Sequence, residues 1–226
     1  MKRFLSNVVL LLLTATTSLA QENYNMSVSE KHRIVTGSIE INKPDCVIFA
    51  NALLWAVERG EKYKELIEDC DFEKLRLTID YNLVQDGQIA YTSQLTLQVS
   101  QGRLVYLVHD IKGQPSGLSS VLGAVNFDKL NPEKKTKHQT LIEDFEALDK
   151  KDLKKMFEYV RNHNTEVSKW ESISEHRIEK GMSIEEVLLI LGKPINIQKS
   201  AETVQYMYNT FTYVFFENGK VKSFMQ

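Results

Sequence analysis

The amino-acid sequence predicts an α+β protein of two small domains, each an antiparallel sheet with helices on one face. Three observations predict it. An apolar stripe of helical period over 45–59 is followed, from Leu75, by side chains that alternate apolar and polar with a period of two. Residues 166–226 repeat that order, with helical stripes first and then three short strand runs, the last two joined by Asn218-Gly219. The 226 residues, 42% hydrophobic and 26% charged, have ordinary globular composition and suffice for one or two domains. Ten Gly and four Pro exclude a collagen-like or low-complexity chain, and two Cys are too few for a disulfide scaffold or a four-cysteine zinc site. With 28 Lys and Arg against 30 Asp and Glu, no broad basic footprint for nucleic acid exists.

The first twenty residues read as a secretory signal. Lys2 and Arg3 precede the apolar run Val8 to Leu13, and Ser18-Leu19-Ala20 places small residues before Gln21, predicting cleavage after Ala20. The apolar run is far shorter than the ~20 residues that span a bilayer. Position 21 is Gln rather than Cys, so the site lacks a lipid-bearing residue. The expectation is an exported protein, periplasmic or associated with the outer membrane, with no transmembrane segment after signal removal.

In the domain predicted over 30–130, a strand from Arg33 to Ile41 leads into Lys43-Pro44-Asp45, where proline suits a helix start. Phe49, Ala52, Leu53 and Ala56 then form one helical face, thickened by Ile48 and Trp55 and ended by Gly60. Leu75, Leu77, Ile79, Tyr81 and Leu83 alternate with Arg76, Thr78, Asp80 and Asn82, as in a half-buried antiparallel strand. A two-residue turn at Asp86-Gly87 would set apolar side chains opposite polar ones throughout. An odd-length loop, with a bulge, instead pairs Ile79 with Leu95, Leu77 with Leu97 and Leu75 with Val99. Gln101-Gly102 works as a two-residue turn that pairs Val99 with Leu104 and Leu97 with Tyr106. The opposite face, with Arg76, Asp80, Asn82, Gln94, Gln98 and His109, reads as solvated. Cys46 and Cys70 are compatible with a disulfide and equally with two small buried hydrophobes.

Lys43-Pro44-Asp45, Phe49 with Asn51, Leu54-Trp55, Leu95 to Val99 and Gly102 to Tyr106 carry a resemblance over roughly 33–112. The segment resembles an exported Gram-negative domain family of unknown function with a TATA-binding-protein-like fold. The resemblance implies a fold and no chemistry, and the likeness to a DNA-binding protein is architectural.

The connector predicted over 131–165 has a basic run, Lys134 to His138, read as a solvated helix start. An acidic stretch follows, with Glu143, Asp144, Glu146 and Asp149. Leu141, Phe145 and Leu148 make one apolar stripe, and Leu153, Met156, Phe157 and Val160 a second.

In the C-terminal module, predicted over 166–226, Ser183-Ile184-Glu185-Glu186 is a capping box. Ile184, Val187, Leu188 and Leu191 form the buried face of a short helix that Gly192 and Pro194 end. Asn218-Gly219 predicts a type I′ hairpin pairing Phe216 with Val221, Phe215 with Lys222 and Val214 with Ser223. Asn209-Thr210, taken as a second two-residue turn, puts Val204, Tyr206, Tyr208, Phe211, Tyr213, Phe215 and Phe224 under the helices. Met207, Val214, Phe216, Val221 and Met225 then lie on an open face that is too apolar for a solvated one. That face is the candidate partner-binding surface; the alternative is that it packs on the helices of 141–160.

Ile178 to Ser183, Glu186-Val187, Leu191 to Pro194, Tyr206 to Tyr208 and Phe216 to Val221 make this module similar to the SmpA/OmlA family. These are BamE-like envelope subunits with a β-lactamase-inhibitor-like fold. The resemblance, over about 173–222, implies a helix-on-sheet module used in protein or envelope contacts.

No catalytic motif appears. The five His, at 32, 109, 138, 163 and 176, form no metalloprotease pair, and no nucleophile elbow or phosphate loop is present. His109-Asp110 reads as a surface hydrogen-bonded pair. The expected function is a non-catalytic cell-envelope binding or assembly module with no cofactor, whose partner is an envelope protein and which leaves room for peripheral membrane association. A binder of a small molecule, lipid or glycan between the two domains is the second expectation.

Overall fold

The computed structural model describes residues 23–29, 32–59, 66, 70–113, 125–129, 137–200 and 202–226. The leader Met1 to Ala20, Gly60, the loop Gln114 to Gly117 and Lys134 to Thr136 lie outside them. In chain order the elements are β1 (Asn23–Ser29), β2 (His32–Glu40), α1 (Asp45–Glu58), β3 (Cys70–Asp71), β4 (Arg76–Gln85), β5 (Gln88–Ser100), β6 (Arg103–Gly113) and β7 (Val125–Asn126). A 3-10 turn (Phe127–Lys129) precedes α2 (Lys137–Asn162), α3 (Trp170–Ser174) and α4 (Ile184–Leu191). The chain ends in β8 (Asn196–Lys199), β9 (Thr203–Met207), β10 (Tyr213–Glu217) and β11 (Lys220–Met225). The fold is α+β, as expected.

The first sheet runs β1-β2-β6-β5-β4-β3, with β7 beside β6, all antiparallel. Its register follows the alternation of the sequence: Ile79 faces Leu95, Leu77 faces Leu97, Leu97 in turn faces Tyr106, and Val99 faces Leu104. The turn that sets this register differs from the expectation. Asp86 and Gly87 do form a two-residue turn, both at positive φ, with Gln85 opposite Gln88. The odd residue sits inside the ladder instead, where Val84 faces Ile89 but Leu83 faces Tyr91, leaving Ala90 as a bulge. One bulge shifts the register as an odd loop would. Strand β1 was not foreseen, although Tyr24, Met26 and Val28 alternate with polar residues.

α1 and α2 cover one face of this sheet. The stripes expected as separate segments of 141–160 fuse into a single helix of 26 residues. Phe145 packs on Tyr91 and Phe157 on Tyr106, each with ring centroids 5.4 Å apart. Each fully buried apolar side chain contributes about 1.5–3 kcal/mol. The second face, expected to be solvated, is more covered: His109 is buried, as are Ile34, Val105 and Leu107, which stand outside the main core.

The second sheet runs β11-β10-β9-β8. α4 packs against α1, and one continuous cluster of buried side chains reaches from Leu95 and Phe49 through Val187 and Ile190 to Val214 and Phe216. The helix face expected to be buried is broader, with Glu186, Val187, Leu189 and Ile190 buried and Ile184, Leu188 and Leu191 half-buried.

Candidate functional site

The candidate site lies on the four-stranded sheet, and three local features decide which side chains it presents. At the β10–β11 end, Asn218 and Gly219 both take positive φ, so Glu217 meets Lys220 and Phe216 meets Val221. A bulge follows: Phe215 pairs with Ser223, Val214 with Phe224 and Tyr213 with Met225. At the β9–β10 end, Tyr208 N donates to Thr212 O at 3.0 Å, which leaves three residues in the loop rather than two. Asn209 Oδ1 holds that loop by accepting from Phe211 N at 2.7 Å and Thr212 N at 2.8 Å.

The extra residue slides β10 by one position against β9, which turns every β10 side chain over. Phe216 pairs with Val204 and Val214 with Tyr206, on the inner face. Three of the five expected partner-binding residues, Val214, Phe216 and Val221, are therefore buried in the chain's own core, Phe216 at 1% exposure. Val214, Phe216 and Val221 join one cluster that holds Met182, Val187 and Ile190 and also takes in Leu153, Phe157 and Val160 of α2.

Met207 and Met225 remain on the outer face. There Met207 lies opposite Tyr213, and Tyr213 opposite Met225. Phe215, two residues along β10, extends the row toward Gln205 and Ser223. Met225 is 55% exposed and Phe211, at the loop tip, 76%. Ile195, Ile197 and Phe224 are exposed at the same end of the sheet. The segments 205–216 and 223–226, which build this end, contain no charged residue. Tyr213, Phe215 and Phe211 are the site residues that the sequence reading placed on the wrong side; the turn-forming Asn209 was the signal available for them.

The sheet is seated by the capping box of α4. Ser183 Oγ accepts from Glu186 N at 3.1 Å, and Ser183 N donates to Glu186 Oε2 at 2.8 Å. The other carboxylate oxygen accepts from Ser168 N, Ser168 Oγ and Lys169 N at 2.8–3.0 Å. Glu186 is completely buried, and these donors replace its lost hydration. Gly181 N and Val221 O, 2.9 Å apart, join the segment before α4 to β11.

Other polar, thiol and aromatic groups lie elsewhere in the fold. His109 Nδ1 and Asp110 Oδ2 lie 2.9 Å apart, but the ring is buried, not on the surface as expected, and among the described residues its Nε2 has no hydrogen-bond partner. Cys46 and Cys70 are free thiols, and burial, aided by Asp71, pushes Cys70 up to about 12. Phe49, Phe72, Trp170 and His176 interlock at the junction of the two sheet modules, with ring centroids 5.2–6.1 Å apart. Among the described residues no three His, Cys, Asp or Glu are grouped to hold a metal ion, and no helix is long and apolar enough to cross a membrane.

No protein-family model matches the chain, and no curated protein matches it. Among solved structures, the fold is distantly similar to that of a TBP-like protein from Parabacteroides distasonis ATCC 8503. The TM-score is 0.45 and the identity 12%, over 62% of this chain and 99% of that one.

Proposed function

We propose that this is an exported, non-catalytic cell-envelope protein that acts as a binding or assembly module, with an envelope protein seated on the outer face of β8–β11. The observation that carries this reading is the uncharged row Met207–Tyr213–Met225, flanked by Phe215 and the exposed Phe211. Contiguous exposed apolar patches mark interaction sites, and interface cores are rich in aromatic residues and Met and poor in charge. The signal-like segment Met1 to Ala20 supports export, and the order of helix start, helix end and hairpin over 173–222 supports an assembly role of the SmpA/OmlA kind.

The test is co-purification with the Phe211→Glu and Met225→Glu variants. Both side chains are exposed, so both variants keep the wild-type melting temperature. Loss of the co-purifying envelope protein in both supports the reading. Undiminished recovery in both overturns it.

A further inference from the structure

The acidic run of α2 is not uniformly solvated. Glu143 and Asp144 are exposed, Glu146 bonds Lys150 and Asp152 pairs with Arg59, but Asp149 is completely buried against the sheet. Tyr24 Oη on β1 donates to its Oδ2 at 3.0 Å. Among the described residues its Oδ1 has no hydrogen-bond partner, and neither does the buried Tyr81 Oη of β4.

The groups around Asp149 come from every packed element. β1 brings Tyr24, β4 brings Tyr81, and β6 brings Tyr106, which interacts with Tyr24. α2 brings Glu146 and Asp152, both negative. Among the described residues, the cations beside the Tyr24 and Tyr81 rings are committed elsewhere. Arg59 lies over the Trp55 and Tyr81 rings, at 4.8 and 5.2 Å, and is bound to Asp152 and Asn82 O. Lys150 lies 4.5 Å over the Tyr24 ring and is bound to Glu146. A buried carboxylate without a cation of its own is costly when charged.

We infer that Tyr24, Asp149 and Tyr81 form a proton-operated latch: a protonated Asp149 seats β1 and the first half of α2 on the sheet, and its ionisation loosens both together. A neutral Asp149 leaves no charge buried at this joint, whereas an ionised one does, with only hydroxyl groups among the described residues to meet it. Burial first, then Asp152 and Glu146, raise Asp149 to about 7, against the lowering influence of the Tyr24 and Tyr81 hydroxyls. The far end of α2 is held independently, because Asn51 Nδ2 donates to Val160 O and His163 O at 3.0 and 2.7 Å. The loosening is therefore confined to one end of the helix.

Hydrogen exchange on the whole chain, corrected for intrinsic rates, tests this. A single proton released on opening makes protection in 23–29 and 141–152 fall about tenfold per pH unit from about pH 5 to 7 and then level, while 153–162 stays flat. Asp149→Asn keeps the protection and removes its pH dependence. Tyr24→Phe, which takes a donor from the ionised form, moves the step to higher pH and serves as the variant if Asp149→Asn does not fold. Protection in 23–29 and 141–152 that does not change with pH, a dependence that survives in Asp149→Asn, or an unmoved step in Tyr24→Phe overturns the latch.

Discussion

Asn51 Oδ1 accepts the Thr165 hydroxyl at 2.6 Å, while its amide nitrogen reaches the Val160 and His163 carbonyls. Asn51 is fully buried on α1, and Lys43 Nζ binds the same two carbonyls. The last carbonyls of a helix lack partners within it, so these side chains cap α2 from outside. The segment that leads from α2 toward the second sheet is thereby held to α1.

Asn51→Ala takes the acceptor from the Thr165 hydroxyl and leaves the Val160 and His163 carbonyls to Lys43 alone. The expected outcome is a loss of about 1–3 kcal/mol in chemical denaturation, the cost of one stranded buried group. A loss below about 1 kcal/mol, the value of a single ordinary hydrogen bond, would show that water replaces the side chain there.

Glu186 is the other polar pin. Ser183→Ala removes one cap bond and costs about 1 kcal/mol. Glu186→Ala removes the reciprocal bond and the acceptor for Ser168 and Lys169 as well, so it costs clearly more, about 3 kcal/mol. Because the two residues share a bond, the double variant loses less than the added single losses, which a double-mutant cycle measures.

Much of this architecture is legible in the sequence because one face of a strand differs from the other. Leu77, Ile79 and Tyr81 fix the register of β4 by alternation alone, and the capping box fixes the start of α4. The alternation is blind to where the odd residue sits, so Ala90 carries a bulge where a longer loop was expected. In β10 both faces are apolar, with Tyr213 and Phe215 on one and Val214 and Phe216 on the other. Only the loop could then decide the register, and the Asn209 side chain closes a loop one residue longer. Asp149 was hidden for a related reason: in sequence it is one acid among several. Lys43-Pro44-Asp45 and Asn51, which carried a family resemblance, prove to be joints, with Asp45 accepting from Gln101 N and Gly102 N.

Asp149 also sets a sign for stability against pH. Its folded value near 7 lies above the ordinary carboxylate value near 4, so between those limits the folded chain holds more protons than the unfolded one. Its contribution is fully present below about pH 4, declines as pH rises to about 7, and is level beyond, a total of up to about 4 kcal/mol. Asp71 and Glu179, both lowered by their hydrogen bonds, work in the opposite direction at acid pH. The measurement is therefore the difference between wild type and Asp149→Asn, which widens in favour of the variant as pH rises to 7.

The two thiols give a chemical check. Denatured protein without reductant titrates as two free thiols. In the native protein at pH 8, Cys70 reacts slowly because its buried thiol, pushed up to about 12, supplies little thiolate. Absence of free thiol after denaturation would mean a disulfide that the fold described here does not contain.

The proposal that the outer face of the C-terminal sheet is the working surface is tested most directly by photo-crosslinking in living cells from probes at positions 225 and 216. The account predicts that position 225 gives an adduct with one dominant envelope protein, while position 216 gives intramolecular products alone. Intermolecular adducts from position 216, with none from 225, would contradict it.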